Sequence, residues 1–130
     1  MFCLFAATWV IAAVITLHSL NLRPNWYSMM FERYELKPSV LSEIHRCFSA
    51  NDIAYVKSKL ETSELCWGDN APPARVHVAL IWLSKGCRET FDRELDVALA
   101  DWRNTLMNTG LAEAGWKSTL ASRNINCENW

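Results

Sequence analysis

Apolar positions along this chain recur at helical spacing, and one stretch, residues 72–86, is apolar on both sides. Pro72 and Pro73 open it and Gly86 closes it, the punctuation of a helix with sharp ends. Advancing about 100° per residue, Ala79, Leu80 and Leu83 fall beside Val76, while Val78, Ile81 and Trp82 fall opposite. A helix apolar on both faces is normally covered on both, so this segment is expected to be the central post of a helical domain. Its polar members, Arg75 and His77, lie at the edges of those faces, where helix–helix seams are expected to satisfy them.

The flanking patterns supply the cover. Val40, Leu41, Ile44, Cys47 and Phe48 form one stripe on a helix that starts at Pro38, with Ser42, Glu43, Arg46 and Ser49 facing away. Asn51-Asp52 breaks the chain, and Asp52 is expected to cap a second helix carrying Ile53, Val56 and Leu60. These two make a helical hairpin. Residues 64–73 read as the longest loop. After Gly86 the longest helix is expected over residues 88–107, with Phe91, Leu95, Ala98, Leu99, Trp102 and Leu106 in one arc. Gly110 is a natural left-handed stop, a short helix follows from Leu111 toward Ala121, and Trp130 is the residue able to dock from a frayed end. The fold class is therefore all-α: a compact bundle of about five helices at residues 38–122, with a polar tail at 123–130.

Residues 2–22 stand apart, because no charged side chain occurs before Arg23. As a helix the run is about 31 Å long, close to the bilayer hydrocarbon thickness of about 30 Å. Trp26, Tyr27 and Tyr34 follow, residue types that sit at the headgroup level. Residues 1–23 thus read as a transmembrane helix and residues 24–37 as an interfacial linker. Arg23, Arg33 and Lys37 lie after the segment and no basic side chain lies before it, so the C-terminal domain of this single-pass protein is expected in the cytoplasm. Two alternatives stay open: a cleaved signal peptide, and a cytoplasmic protein whose true start is Met29 or Met30.

Composition narrows the function classes. Hydrophobic residues make up 51% and charged residues 21%, ordinary for a globular chain. Net charge is −1 with no basic patch, so no nucleic-acid partner is expected. The cysteines, 3, 47, 66, 87 and 127, have wide spacing and no C-x-x-C, which reads as free thiols. A secreted protein with disulfides among the last four is the alternative.

Candidate chemistry is sparse. His45 and Cys47 point in opposite directions on a helix, and short-spaced ligand pairs are absent, so no metal is expected. The glycines cannot build a phosphate cradle, and no cofactor is expected. Cys87 precedes the long helix, where the positive helix end and Arg88 favour a thiolate. Asp92 and Asp96 read as a solvated acidic edge; Asp101 could meet Arg75. No catalytic residue is assigned; Arg75, His77, Cys87 and Arg103 are the candidates for ligand contact. Tryptophan is abundant at seven residues, so an exposed Trp82 or Trp116 would mark a binding surface.

The segment Arg75-Val76-His77-Val78-Ala79-Leu80-Ile81-Trp82-Leu83-Ser84-Lys85-Gly86, followed by Leu95, Asp101-Trp102-Arg103-Asn104-Thr105-Leu106, Gly110-Leu111-Ala112 and Trp116, resembles a group of small uncharacterised bacterial helical proteins. Their pattern is R-V-x-x-A-x-x-x-L-x-x-G, a spacer, then D-[WY]-R-x-x-L. The resemblance implies an all-α domain and a bacterial source, and no activity. The functional expectation is a membrane-anchored, non-enzymatic module that binds another protein. The alternative is a soluble helical enzyme or ligand binder using Arg75, His77, Cys87 or Arg103.

Overall fold

The structure is a computed structural model and describes residues 34–63 and 72–130. The proposed membrane segment, residues 2–22, lies outside the described residues, as does Cys66. Among the described residues five helices follow one another: α1 Pro38–Cys47, α2 Ala50–Thr62, α3 Pro73–Ser84, α4 Arg88–Thr109 and α5 Trp116–Ala121. Among the described residues there is no strand, so the all-α class holds.

The centre is α3. Every residue from Val76 to Ile81 has zero exposure, an unbroken run longer than one helical turn, so all faces are covered. α3 packs chiefly on α4 and also on α1, while α2 meets α1 and α4. Val40, Ile44, Val56, Leu60, Phe91 and Leu95 complete the core from these neighbours. α3 stops on two left-handed residues, Lys85 (φ 51°) and Gly86 (φ 76°). A Cβ at Gly86 would stand 2.5 Å from the Cys47 carbonyl oxygen, so glycine lets the α3–α4 turn press onto the end of α1.

Three local expectations change. The residue flanking α2 at its N-terminus is Ser49; Asp52 lies in the first turn and accepts the Ser49 hydroxyl at 3.0 Å. Glu43, placed on the solvent side of α1, is only 3% exposed. The long helix α4 is broken in phase at Asp101, whose backbone is extended (φ −156°, ψ 95°). Asp101 Oδ1 accepts the Arg103 backbone N–H at 3.1 Å and so caps the second half from inside. The buried stripe is narrower than the expected arc: Phe91, Leu95, Ala98 and Leu106 are buried, but Leu99 is 45% exposed. Thr105 pays for the break. A helical threonine commonly bonds the carbonyl four residues back, here Asp101, yet the buried Thr105 Oγ1 has no hydrogen-bond partner.

Residues 123–130, expected to fray, are seated on the bundle. Asn124, at φ 58°, turns the chain after α5, with Asn124 N–H bonded to Ala121 O and Ile125 N–H to Leu120 O, both at 3.0 Å. This helix-ending bond pair leads Ile125 into the core at 6% exposure. α4 ends the same way on Gly110, with Leu111 N–H on Leu106 O, and Leu111 is fully buried. Among the described residues no helix is long and apolar enough to cross a membrane.

Candidate functional site

The double proline that starts α3 also starts a cleft. Pro73 and Arg75 from the first turn of α3 line it with Tyr34, Lys37, Trp116 and Trp130, around a volume of about 190 Å³. The seated tail builds one wall: Trp130 stacks on Trp116 with ring centres 6.1 Å apart and planes 16° from parallel. Trp130 Nε1–H donates to Ser39 Oγ at 3.0 Å, which ties that wall to α1. The Arg75 guanidinium lies 4.6 Å from the Trp116 ring centre and donates to Leu111 O at 3.2 Å. Partial burial lowers the Arg75 pKa, although arginine stays cationic at neutral pH. Lys37 and Arg75 line the cleft, and among the described residues no Asp or Glu side chain does. Flat aromatic walls beside two cationic side chains suit a ligand group that is apolar at one end and anionic at the other.

The other candidates occupy different settings, and none lines this cleft. His77 lies two residues beyond Arg75 but is fully buried, its ring edge-on to Tyr34 at 5.5 Å. Burial pushes its pKa down to about 4, so the ring is neutral at pH 7 and belongs to the core behind the cleft wall. Cys87 is exposed at the start of α4, and its thiol donates to Glu89 Oε2 at 3.2 Å. Arg88, expected to support that thiol, instead lies over the Tyr55 ring at 3.6 Å. Arg103 is exposed, lies 4.5 Å from the Trp102 ring centre and reaches its own neighbour Asp101 at 4.0 Å. Arg75 bonds Leu111 O and Asp101 caps Arg103, so the proposed Asp101–Arg75 pairing does not form. Asp92 is not a free acidic edge either: it accepts the Tyr55 hydroxyl at 2.8 Å and joins α2 to α4. Cys47, Cys87 and Cys127 are free thiols. Among the described residues no three His, Cys, Asp or Glu side chains converge as metal ligands.

A polar cluster that the hydrophobic pattern hides lies on α1. Trp82 Nε1–H donates to Glu43 Oε1 at 2.8 Å, and Arg46 donates to both carboxylate oxygens, with Nε at 3.0 Å. The Cys47 thiol adds a weak contact at 3.8 Å. Burial pushes the Glu43 pKa up, but hydrogen bonds from Arg46 and Trp82 and the Arg46 charge together hold it below the usual carboxylate value. Arg123 then covers the Trp82 ring at 4.0 Å. The signal available in the sequence was Trp82 itself, since an indole N–H in an apolar helix needs an acceptor from elsewhere.

The chain matches no family model, no curated protein and no solved structure. The functional reading therefore rests on these two side-chain constellations.

Proposed function

We propose that this protein is a membrane-anchored, non-enzymatic interaction module that holds a segment of a partner protein in the Arg75–Trp116–Trp130 cleft. The observation that carries the reading is the pairing of stacked indoles with Arg75 and Lys37 in a lining that, among the described residues, holds no Asp or Glu side chain. Tryptophan and arginine are the residue types that dominate binding energy at protein interfaces. Charge complementarity sets the partner's chemistry: a segment with an aromatic or long aliphatic side chain next to Asp or Glu. The anchor rests on the uncharged run at residues 2–22, and the cytoplasmic placement on the basic residues that follow it. The bacterial source rests on the resemblance in the α3–α4 sequence alone.

Selection from a random peptide library on the full chain in nonionic detergent tests the cleft. The expected consensus combines an acidic residue with an aromatic or aliphatic one, and Trp116→Ala loses the selected peptides. Peptides without that consensus, or with equal binding to Trp116→Ala, would contradict the reading. Carbonate extraction tests the anchor separately: retention in the membrane fraction is expected, and release into the soluble fraction rejects it.

A further inference from the structure

The Glu43 cluster opens into a second groove of about 470 Å³, lined by Ser42, Glu43, Arg46, Arg123, Asn124 and Asn126. We propose that this groove is a binding site for a small oxyanion, a carboxylate or phosphate group held between Arg123 and Arg46.

The first argument is saturation. An ionised carboxylate offers about four acceptor positions. Glu43 meets two bonds from Arg46, one from Trp82 and the weak thiol contact of Cys47. Among the described residues it is the single carboxylate in the lining, it is buried, and its capacity is taken. It therefore positions the cations without neutralising both of them. Arg46 is clamped directly, whereas Arg123 is placed through the Trp82 ring, whose own orientation is set by its bond to Glu43.

The second argument is donor supply. Among the described residues the Arg123 side chain forms a ring contact with Trp82 and no hydrogen bond or ion pair. A guanidinium over an aromatic face keeps its N–H groups at its edges, where they can fork onto two oxygens. Arg46 uses Nε and Nη2 on Glu43, and its side chain is still 57% exposed. Asn126 accepts the Glu128 N–H with its Oδ1 at 2.9 Å, which leaves its amide N–H₂ as donor. The first turn of α1 borders the same groove, carries no acidic residue and has no side-chain cap, so its positive end adds to the field. The groove thus carries two guanidiniums against one committed carboxylate, in a chain whose net charge is −1.

The Trp82 indole N–H is a built-in reporter. The full 130-residue chain, ¹⁵N-labelled in nonionic detergent, is titrated at constant ionic strength with inorganic phosphate, with succinate and with sodium chloride. A saturable shift of the Trp82 indole resonance with phosphate or succinate, and none with chloride, is expected; whichever anion saturates names the source. Arg123→Gln, at an exposed position, should weaken that binding at least about tenfold. Lys57→Gln, on α2 and outside the groove, should leave it unchanged. A shift that follows chloride equally, or that persists undiminished in Arg123→Gln, overturns the proposal. So does the absence of a saturable shift with both oxyanions.

Discussion

Glu43 on α1 and His77 on α3 are both sealed from solvent, at 3% and 0% exposure, and they meet burial in opposite ways. Glu43 keeps its charge because Arg46 and Trp82 aim donors at it, and their combined effect exceeds the desolvation penalty. His77 is fully enclosed, with Tyr34 edge-on to its ring, and burial holds it neutral. A buried carboxylate keeps its charge where donors converge on it; where desolvation dominates, as at His77, a basic group loses proton affinity and stays neutral. Thr105 marks a third outcome, a buried hydroxyl left without a bond beside the Asp101 break.

The contrast predicts a graded set of responses. The largest belongs to His77. Its folded pKa is about 4 against 6.5 in the unfolded chain, so the unfolded state takes up a proton first as pH falls. The stability tied to the neutral ring is fully present above pH 6.5, declines as pH drops, and is gone below about 4, a loss of about 3 kcal/mol. Urea unfolding at pH 7 and pH 4.5 measures this decline, and His77→Leu should show a correspondingly shallower one. An unchanged pH slope in His77→Leu would place the titration elsewhere.

Glu43→Gln keeps the shape but removes the charge that Arg46 and Trp82 address; a loss of about 2 kcal/mol is expected in urea at pH 7. A loss below about 0.5 kcal/mol would mean that the cluster is no stronger than an exposed ion pair. Trp82→Phe deletes one donor and weakens the platform under Arg123. It should cost about 1 kcal/mol and move the Glu43 carboxyl, followed by ¹³C NMR, back toward the ordinary carboxylate range. The smallest effect is expected at Thr105. Replacing an unbonded hydroxyl by a methyl group in Thr105→Val should be neutral or stabilising by about 0.5 kcal/mol, read from the thermal midpoint. Clear destabilisation there would show that the hydroxyl is bonded in solution.

These residues also separate what was legible in the chain from what was not. α3 could be read directly, because apolar character on both faces and proline and glycine at its ends are local properties of the sequence. The α1 and α2 stripes followed from the same periodicity. The burial of Glu43 is not legible because a charged residue off the apolar stripe reads as solvent-facing, and its partner Trp82 lies 39 residues away. The Asp101 break was hidden for the opposite reason: the apolar period continues through it, while the aspartate's preference for capping interrupts the backbone. Of the candidate site, Arg75, Trp116 and Trp130 are each legible as single residues, and their convergence is not. Trp116 and Trp130 meet only because Asn124 takes a left-handed turn and Ile125 pins the tail in the core, choices that no hydrophobic pattern encodes.

The most direct test of the Arg75–Trp116–Trp130 cleft is the affinity of one selected acidic–aromatic peptide, by fluorescence anisotropy, for the full chain and for Trp116→Ala. Lys57→Gln on α2 serves as the surface control. At least about tenfold weaker binding to Trp116→Ala, with Lys57→Gln unchanged, is the predicted result. Equal affinity for all three proteins would contradict the assignment of the cleft as the recognition site.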